Sequence, residues 1–415
     1  MPQSYAASPF VQDQTHPLAG RTVLQIIPAL DAGGAERTAV DTAGALAAVG
    51  ARALVACEGG RLVAELQARG GIWVPFPAGE KNPLAMALNV RKLIRLVHTE
   101  RPALVHARSR APAWVALAAC RLTRTPFMTT YHGAYSGRSP LKLRYNSVMA
   151  RGDMVVANSL YTRDLIIKNF PWARERLRVV VNGADLRRFT PEAIDPARVE
   201  RLRTAWGVAP EDRIVLLAAR LTGWKGQRVL IEAAARLARQ DPGGGTVFVL
   251  AGDEQGKTGY VKELDGLIAK AGLEGVIRRV GHCDDMPAAF MAASVVTVPS
   301  TEPETFGRVA VEAQSVGTPV VVSDLGAVRE TVLAPPETAP EARTGWRVPA
   351  GDAEALADAI GAALRLGASA RDAMARRARL HVEAHFSVDR MEHDMLDAYA
   401  VLLESHAAGS TMAAR

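Results

Sequence analysis

Residues 22–49 read TVLQIIPALDAGGAERTAVDTAGALAAV. Thr22–Ile27 is a short run of mostly aliphatic and β-branched residues, Pro28 and the pair Gly33–Gly34 interrupt it, and Ala35–Val49 then carries apolar residues at helical spacing. The stretch is a strand, a loop and a helix in that order, and the chain repeats the pattern. Further strand candidates are Ala53–Cys57, Ile72–Pro75, Leu104–Ala107, Phe127–Tyr131, Met154–Ala157 and Arg178–Val181, with helical stretches Leu84–Thr99, Ala113–Arg121 and Tyr161–Asn169 among them. Strand, helix, strand, repeated, makes a parallel sheet covered on both faces.

After Val181 the alternation stops at Asn182–Gly183–Ala184–Asp185 and two prolines, Pro191 and Pro196, which places a domain boundary there. A second series follows, with strands near Ile214–Ala219, Val247–Ala251, Val276–Val280, Val295–Val298 and Val320–Ser323, and the stretch from Asp352 to about Ser405 is helical. The expected organisation is α/β: two doubly wound domains, 21–185 and 186–385, then a helix over 386–405 that packs back toward the first domain, with disordered tails at 1–20 and 406–415. Open parallel sheets bind ligands at the carboxyl ends of their strands, so the chemistry is expected in a cleft where two such edges face each other.

A chain of 415 residues with 48% hydrophobic and 22% charged residues can bury a core in each of two domains. Its three cysteines, Cys57, Cys120 and Cys283, lie far apart with no C-x-x-C spacing, which argues against a disulfide scaffold and a zinc site and favours a reducing, cytoplasmic compartment. Met1–Gly20 has neither the basic start nor the apolar run of a secretion signal. The longest apolar stretch, Ala111–Cys120, is about half a membrane span and is closed off by Arg110 and Arg121.

Charge is divided unevenly. Residues 1–200 carry 26 basic and 15 acidic side chains, the remainder 24 and 28, and residues 101–150 hold eight basic residues and no acidic one, preceded by Arg91, Lys92 and Arg95. Such a field draws an anionic surface or substrate, or serves only as a solvated face. Nucleic acid is not expected, because the segment lacks the aromatic-interleaved RNA-binding pattern, zinc-finger spacing and a helix-turn-helix.

The loops after strands carry the chemistry-bearing residues. Gly33 and Gly34 precede a helix, where backbone N–H groups and the helix dipole suit a phosphate, although a Gly-Gly turn is also ordinary punctuation. Arg220 and Lys225 flank Gly223 just past Ile214–Ala219; a planar fork and a point charge can clamp a diphosphate, or they are two exposed loop cations. Residues 299–312, PSTEPETFGRVAVE, run from a strand end through an acidic loop into a helix expected to begin near Phe306. If helical throughout, Glu304 and Glu312 would be about 12 Å apart, too far for the paired carboxylates of a glycoside hydrolase but suited to hydroxyl groups at two ends of a polyol. His132, in Tyr131–His132–Gly133, follows a strand end, where a cleft residue and a satisfied loop histidine are equally placed. No D-x-D, H-x-H or H-E-x-x-H spacing supports a metal, and Asp284–Asp285 reads as a loop or helix cap.

In combination and in order, Gly33–Gly34, Tyr131–His132–Gly133, Asn158–Ser159, Asn182–Gly183–Ala184–Asp185, Arg220 with Lys225, Gly252–Asp253 and Glu304-x7-Glu312 resemble the retaining glycosyltransferases of the fourth sequence family, over about Arg21–Tyr399. The resemblance implies the GT-B fold, two Rossmann-like domains, and a metal-independent hexosyl transfer from a nucleotide-diphosphate sugar without other cofactor. It implies that Arg220 and Lys225 hold the pyrophosphate and stabilise the leaving group. Glu312 would bind the ribose, and Glu304 with the backbone of Phe306 and Gly307 the sugar hydroxyls. His132 would lie beside the anomeric carbon, and Gly34 would approach the diphosphate. Gly252, Thr305 and, through base recognition around His282–Asp285, His282 complete the expected donor site. Position 305, often Gly in this signature, is Thr, and Pro303 precedes Glu304. The Glu302–Arg308 stretch looks like lipopolysaccharide-core and other envelope glycosyltransferases, which implies a glycan or lipid-linked anionic acceptor and peripheral attachment at the cytoplasmic face of the inner membrane. The competing expectations are a nucleotide-sugar epimerase of the same fold and a non-catalytic nucleotide or nucleic-acid binder.

Overall fold

The computed structural model describes residues 16–413 apart from 32, 136–138, 241–242 and 244. It divides into two compact units, residues 1–182 with 389–415, and residues 183–388. The first contains seven strands: β1 Thr22–Ile26, β2 Arg52–Cys57, β3 Ile72–Pro75, β4 Leu104–Ala107, β5 Phe127–Tyr131, β6 Met154–Ala157 and β7 Leu177–Val179. They form one parallel sheet in the order β3-β2-β1-β4-β5-β6-β7. The second contains β8 Arg213–Ala218, β9 Thr246–Ala251, β10 Ile277–Gly281, β11 Val295–Val298, β12 Val320–Ser323 and β13 Trp346–Val348, also parallel, in the order β10-β9-β8-β11-β12-β13. Strand order reverses between β1 and β4 and between β8 and β11, and at such a switch point the loops leaving the two strands diverge and leave a crevice.

The inner strands are buried on both faces, as a helix-covered parallel sheet requires: β4, β5, β11 and β12 contain no exposed residue. Helix starts carry their own signals. Asn82 accepts from the N–H of Leu84 at 2.9 Å ahead of Pro83–Glu100, and Asp352 from that of Ala355 at 2.9 Å ahead of Ala353–Leu364. Ser159 caps Leu160–Asn169 and the Thr162 hydroxyl donates to Asn158, so Asn158–Ser159 has a structural role whatever else it does.

Three expectations about the chain's course need correction. Of the tail expected over 1–20, residues 1–15 lie outside the described residues, but His16–Gly20 forms a turn and Leu18 is fully buried. The tail expected from 406 is helical as far as 413, because one helix runs Val388–Ala413. The second sheet has a sixth strand, β13, which pairs with β12 after Gly345 brings the chain against Val320.

The closing helix belongs to the first unit. Met391, Met395, Ala398, Tyr399 and Leu402 recur at helical spacing and are buried, Arg178 pairs with Asp397, and Arg69 reaches Glu392 at 3.0 Å while also pairing with Asp41. The segments that join the units are laced to each other: Ala184 N–H donates to Phe386 O and Val388 N–H to Ala184 O, and a Cβ at Gly183 would collide with the Ser387 backbone.

Burial pushes the Glu392 carboxyl up to about 7, with Arg69 opposing and Asp41 and Asp389 adding to the rise. A carboxyl that ionises near 4.3 when unfolded then binds an extra proton in the native state, so its contribution to stability is lost as pH rises through that window to about 7. Glu392→Gln is expected to stabilise the protein by about 1–2 kcal/mol at pH 8 and by little at pH 5. Urea titrations at the two pH values check this; equal effects at both would refute it.

Candidate functional site

In the second unit, two loops leave the sheet at the β8/β11 switch point: 219–226 and 299–307. They are stitched together. Thr301 N–H donates to Trp224 O at 2.8 Å, and Gly226, at φ +81°, lies so close to the Pro299 carbonyl that any Cβ would overlap it. Lys225 Nζ spans the junction, 2.6 Å from Glu304 Oε1 and 4.2 Å above the Trp224 ring, with both charged side chains largely buried. Ser300 Oγ donates to the same Glu304 oxygen at 2.6 Å. The Glu304 backbone is fixed too: its carbonyl accepts from Ala327 N–H at 2.8 Å, and Gly326, at φ +77°, makes the close approach that a side chain would block.

The helix expected from Phe306 begins later. Gly307 takes a left-handed φ of +83° and the helix runs Arg308–Val316, so Glu304 sits in extended backbone and the separation inferred for a continuous helix does not apply. Phe306 is buried, its ring 5.7 Å from that of Phe386, which leaves only its backbone to meet a ligand. Thr305 is half-buried beside it. Glu312 is 9% exposed and its carboxylate lies 3.6 Å from Arg308, one turn back on the same helix. Arg308 was missing from the sequence reading, although the i,i+4 spacing to Glu312 was its signal.

Arg220 is exposed, and its carbonyl accepts from Gln227 Nε2 at 3.0 Å. Thr222, between Arg220 and Lys225, has a buried hydroxyl with no partner among the described residues. Gly252 has a packing reason to be glycine: a Cβ would run into the Ala219 carbonyl, while its N–H donates to Gly281 O at 2.7 Å. His282 is exposed, 2.9 Å from Asp284. Asp285 caps Met286–Ala292 and holds Arg198 through both oxygens, 2.6 and 2.8 Å, which depresses its carboxyl below the usual range.

In the first unit, Gly33 and Gly34 are exposed at the start of helix Gly34–Ala48. The Glu36 carboxylate folds back to where a Gly33 side chain would be, so an acidic group already lies over this helix entrance. His132 is half-buried past β5, with Nε2 3.4 Å from Nη1 of Arg108, which follows β4. Among the described residues no three His, Cys, Asp or Glu side chains cluster to hold a metal.

Residues 32–188 match the family model Glycosyltransferase Family 4, and residues 199–381 match Glycosyl transferases group 1. The chain belongs to the glycosyltransferases, a family 4 domain followed by a group 1 domain. Among curated relatives, D-inositol 3-phosphate glycosyltransferase of Nocardia farcinica is 34% identical over 63% of this chain and 55% of its own length. The chain spans about half the length of the curated relatives it matches. Among solved structures, a glycosyltransferase from Rickettsia africae is 29% identical with a TM-score of 0.80, covering 92% of this chain and 98% of that one. Anabaena HepE, solved with UDP-glucose, is 27% identical with a TM-score of 0.79 over 92% of this chain and 99% of its own. These neighbours and the two sheets make the fold GT-B. The names of the relatives do not single out the lipopolysaccharide-core type.

Proposed function

We propose that this glycosyltransferase moves a hexose, with retention of configuration, from a uridine-diphosphate sugar to a hydroxyl of a phosphate-bearing acceptor. The observation that carries the reading is the Lys225–Glu304 pair at the β8/β11 switch point, 2.6 Å long and largely buried. A cation and a hydroxyl-accepting carboxylate held together there can separate onto the two halves of a sugar nucleotide: Lys225 and the exposed Arg220 to the diphosphate, Glu304 to the sugar hydroxyls. Their positive charge stabilises the departing diphosphate, which is the electrostatic task of such a site. Glu312, oriented by Arg308, takes the ribose hydroxyls. His132 acts at the transferred sugar, and no side chain is assigned as covalent nucleophile. The uridine assignment rests on the UDP-glucose bound by Anabaena HepE.

The basic first half of the chain and the phosphorylated acceptor named for the relatives both favour an anionic acceptor. The finer version is a lipid-linked or lipopolysaccharide-core acceptor at a membrane surface. Leu84, Leu88, Leu122, Leu141 and Trp172 are exposed on the first unit, and the Arg151 and Arg176 guanidiniums lie over the Trp172 ring, the kinds of side chain that peripheral binding uses. No described helix is long and apolar enough to cross a membrane.

A thermal-shift screen against UDP-, GDP- and ADP-sugars, with and without EDTA, tests the donor reading. A UDP-selective, EDTA-insensitive shift is expected, and no shift with any of them would overturn the assignment. Donor incubated without acceptor should keep its sugar; epimerisation would favour the isomerase. Glu312→Gln is expected to weaken donor binding about tenfold, and His132→Ala to cut turnover with donor affinity nearly unchanged. Cosedimentation with anionic vesicles at low salt separates a membrane-bound acceptor from a soluble one.

A further inference from the structure

Arg108 is 1% exposed in the first unit, at the β1/β4 switch point, with its N–H bonded to Ile26 O. Burying a guanidinium is costly, and an apolar side chain would fill the space at lower cost. It cannot reach a ligand from there. Its hydrogen-bond partners are Gln25 Oε1 at 2.6 Å, Thr42 Oγ1 at 2.9 Å, the Tyr399 hydroxyl and His132 Nε2 at 3.4 Å, none of them a carboxylate. Asp41 acts on it through its field while pairing with Arg69.

Each acceptor has its own donor engaged elsewhere. Gln25 Nε2 donates to Ala39 O at 3.1 Å, and the Thr42 hydroxyl to Thr38 O at 2.7 Å. The Tyr399 hydroxyl lies 2.7 Å from His106 Nδ1, and His106 Nε2 lies 2.7 Å from Thr130 Oγ1. Arginine can only donate. The assignment that uses every donor once therefore runs from Arg108 to the Tyr399 oxygen, from the Tyr399 proton to His106 Nδ1, and from His106 Nε2–H to Thr130. The same rule makes His132 Nε2 an acceptor.

We propose that Arg108 is a positioning residue for His132: its guanidinium fixes the imidazole as the neutral tautomer with the proton on Nδ1, and Tyr399 of the closing helix holds that guanidinium in place. The proposal rests on His132 acting in transfer and deepens that reading. Among the described residues, Arg108 from the β4 loop, His106 from β4 and Tyr135 of its own loop face His132; the Tyr135 hydroxyl meets the His132 backbone and its ring carries Arg110 at 4.6 Å. Burial, with the Arg108 charge adding, keeps His106 well below the ordinary imidazole range, so that ring is neutral.

The test is nitrogen-15 NMR of the histidine rings in the full chain between pH 5 and 8, with His132→Ala to assign the signal, beside donor KM and kcat. In the unaltered protein His132 should show its proton on Nδ1 and no midpoint above about 5.5, against an ordinary value of about 6.5. In Arg108→Gln the midpoint should climb toward about 6.5, both tautomers should appear, and kcat should acquire an acid limb at an unchanged donor KM. Tyr399→Phe, which keeps the cation and removes one anchor, should shift the same signals partway and serves if Arg108→Gln fails to fold. A proton on Nε2, a midpoint near 6.5 in the unaltered protein, or signals indifferent to both substitutions would overturn the proposal. Full turnover in His132→Ala would instead remove His132 from the reaction, leaving the ring state to stand or fall by its own spectrum.

Discussion

Lys225→Ala is expected to lower kcat about 10²- to 10³-fold at saturating UDP-sugar, the largest single-residue loss in the protein. The ammonium is the only lysine in the loop and is fixed from two sides, by Glu304 Oε1 at 2.6 Å and by the Trp224 ring at 4.2 Å. A charge held this way needs no reorganisation as the diphosphate departs, and low exposure makes its field stronger than that of a surface cation. Removal does a second harm: Glu304 keeps the Ser300 hydroxyl but loses its counter-charge, so the carboxylate that should receive sugar hydroxyls becomes a poorly balanced buried anion. Arg220→Ala, at an exposed position, is expected to act more on KM than on kcat. Single-turnover rates with each variant measure the difference. A Lys225→Ala enzyme within threefold of the unaltered rate would remove the pair from catalysis.

Both sheets were legible in the sequence because most buried parallel strands are short apolar and β-branched runs between helical stretches, and twelve of the thirteen strands lie at or beside such runs. The exception, β13, is Trp346-Arg347-Val348 followed by Pro349, without the valines that extend the equally short β7, and it is a strand because it pairs with the edge of β12. The candidate loops were legible for a related reason: residues just past a strand end in an open parallel sheet are where ligands go. Arg108 shows where such reading stops. It belongs to the basic stretch 101–150 that reads as an outward field, yet it is buried, and the residue that helps bury it, Tyr399, lies nearly three hundred positions away on the closing helix. Charge counted along a chain does not distinguish a solvated cation from one enclosed by a distant helix. Glu304 was misplaced for a local reason: Glu304-Thr305-Phe306 is compatible with a first helical turn, and only the left-handed Gly307 and the approach of Gly326 hold it extended.

Gly226→Ala should cost turnover far more than stability, because Gly226 fixes where two loops meet rather than how the core packs. At φ +81° an alanine pays about 1–2 kcal/mol in backbone strain. Its Cβ would also overlap the Pro299 carbonyl, and backbone cannot swing aside as a flexible side chain can. The 219–226 and 299–307 loops must therefore part, and the Lys225–Glu304 contact spans that junction. A displacement of about 1 Å at a reacting group can reduce rates about 10²-fold, and a loss of that order is expected here, beside a fall in Tm of only a few degrees. Gly223→Ala is the control within the same loop. Gly223 is exposed, its φ lies outside the left-handed region, and its added Cβ would meet only the Arg228 guanidinium at 3.4 Å, so nearly full activity is expected. If the two alanine variants turn over alike, the junction does not set the geometry of the site, and the Lys225–Glu304 pair is a structural ion pair that happens to lie at a strand end.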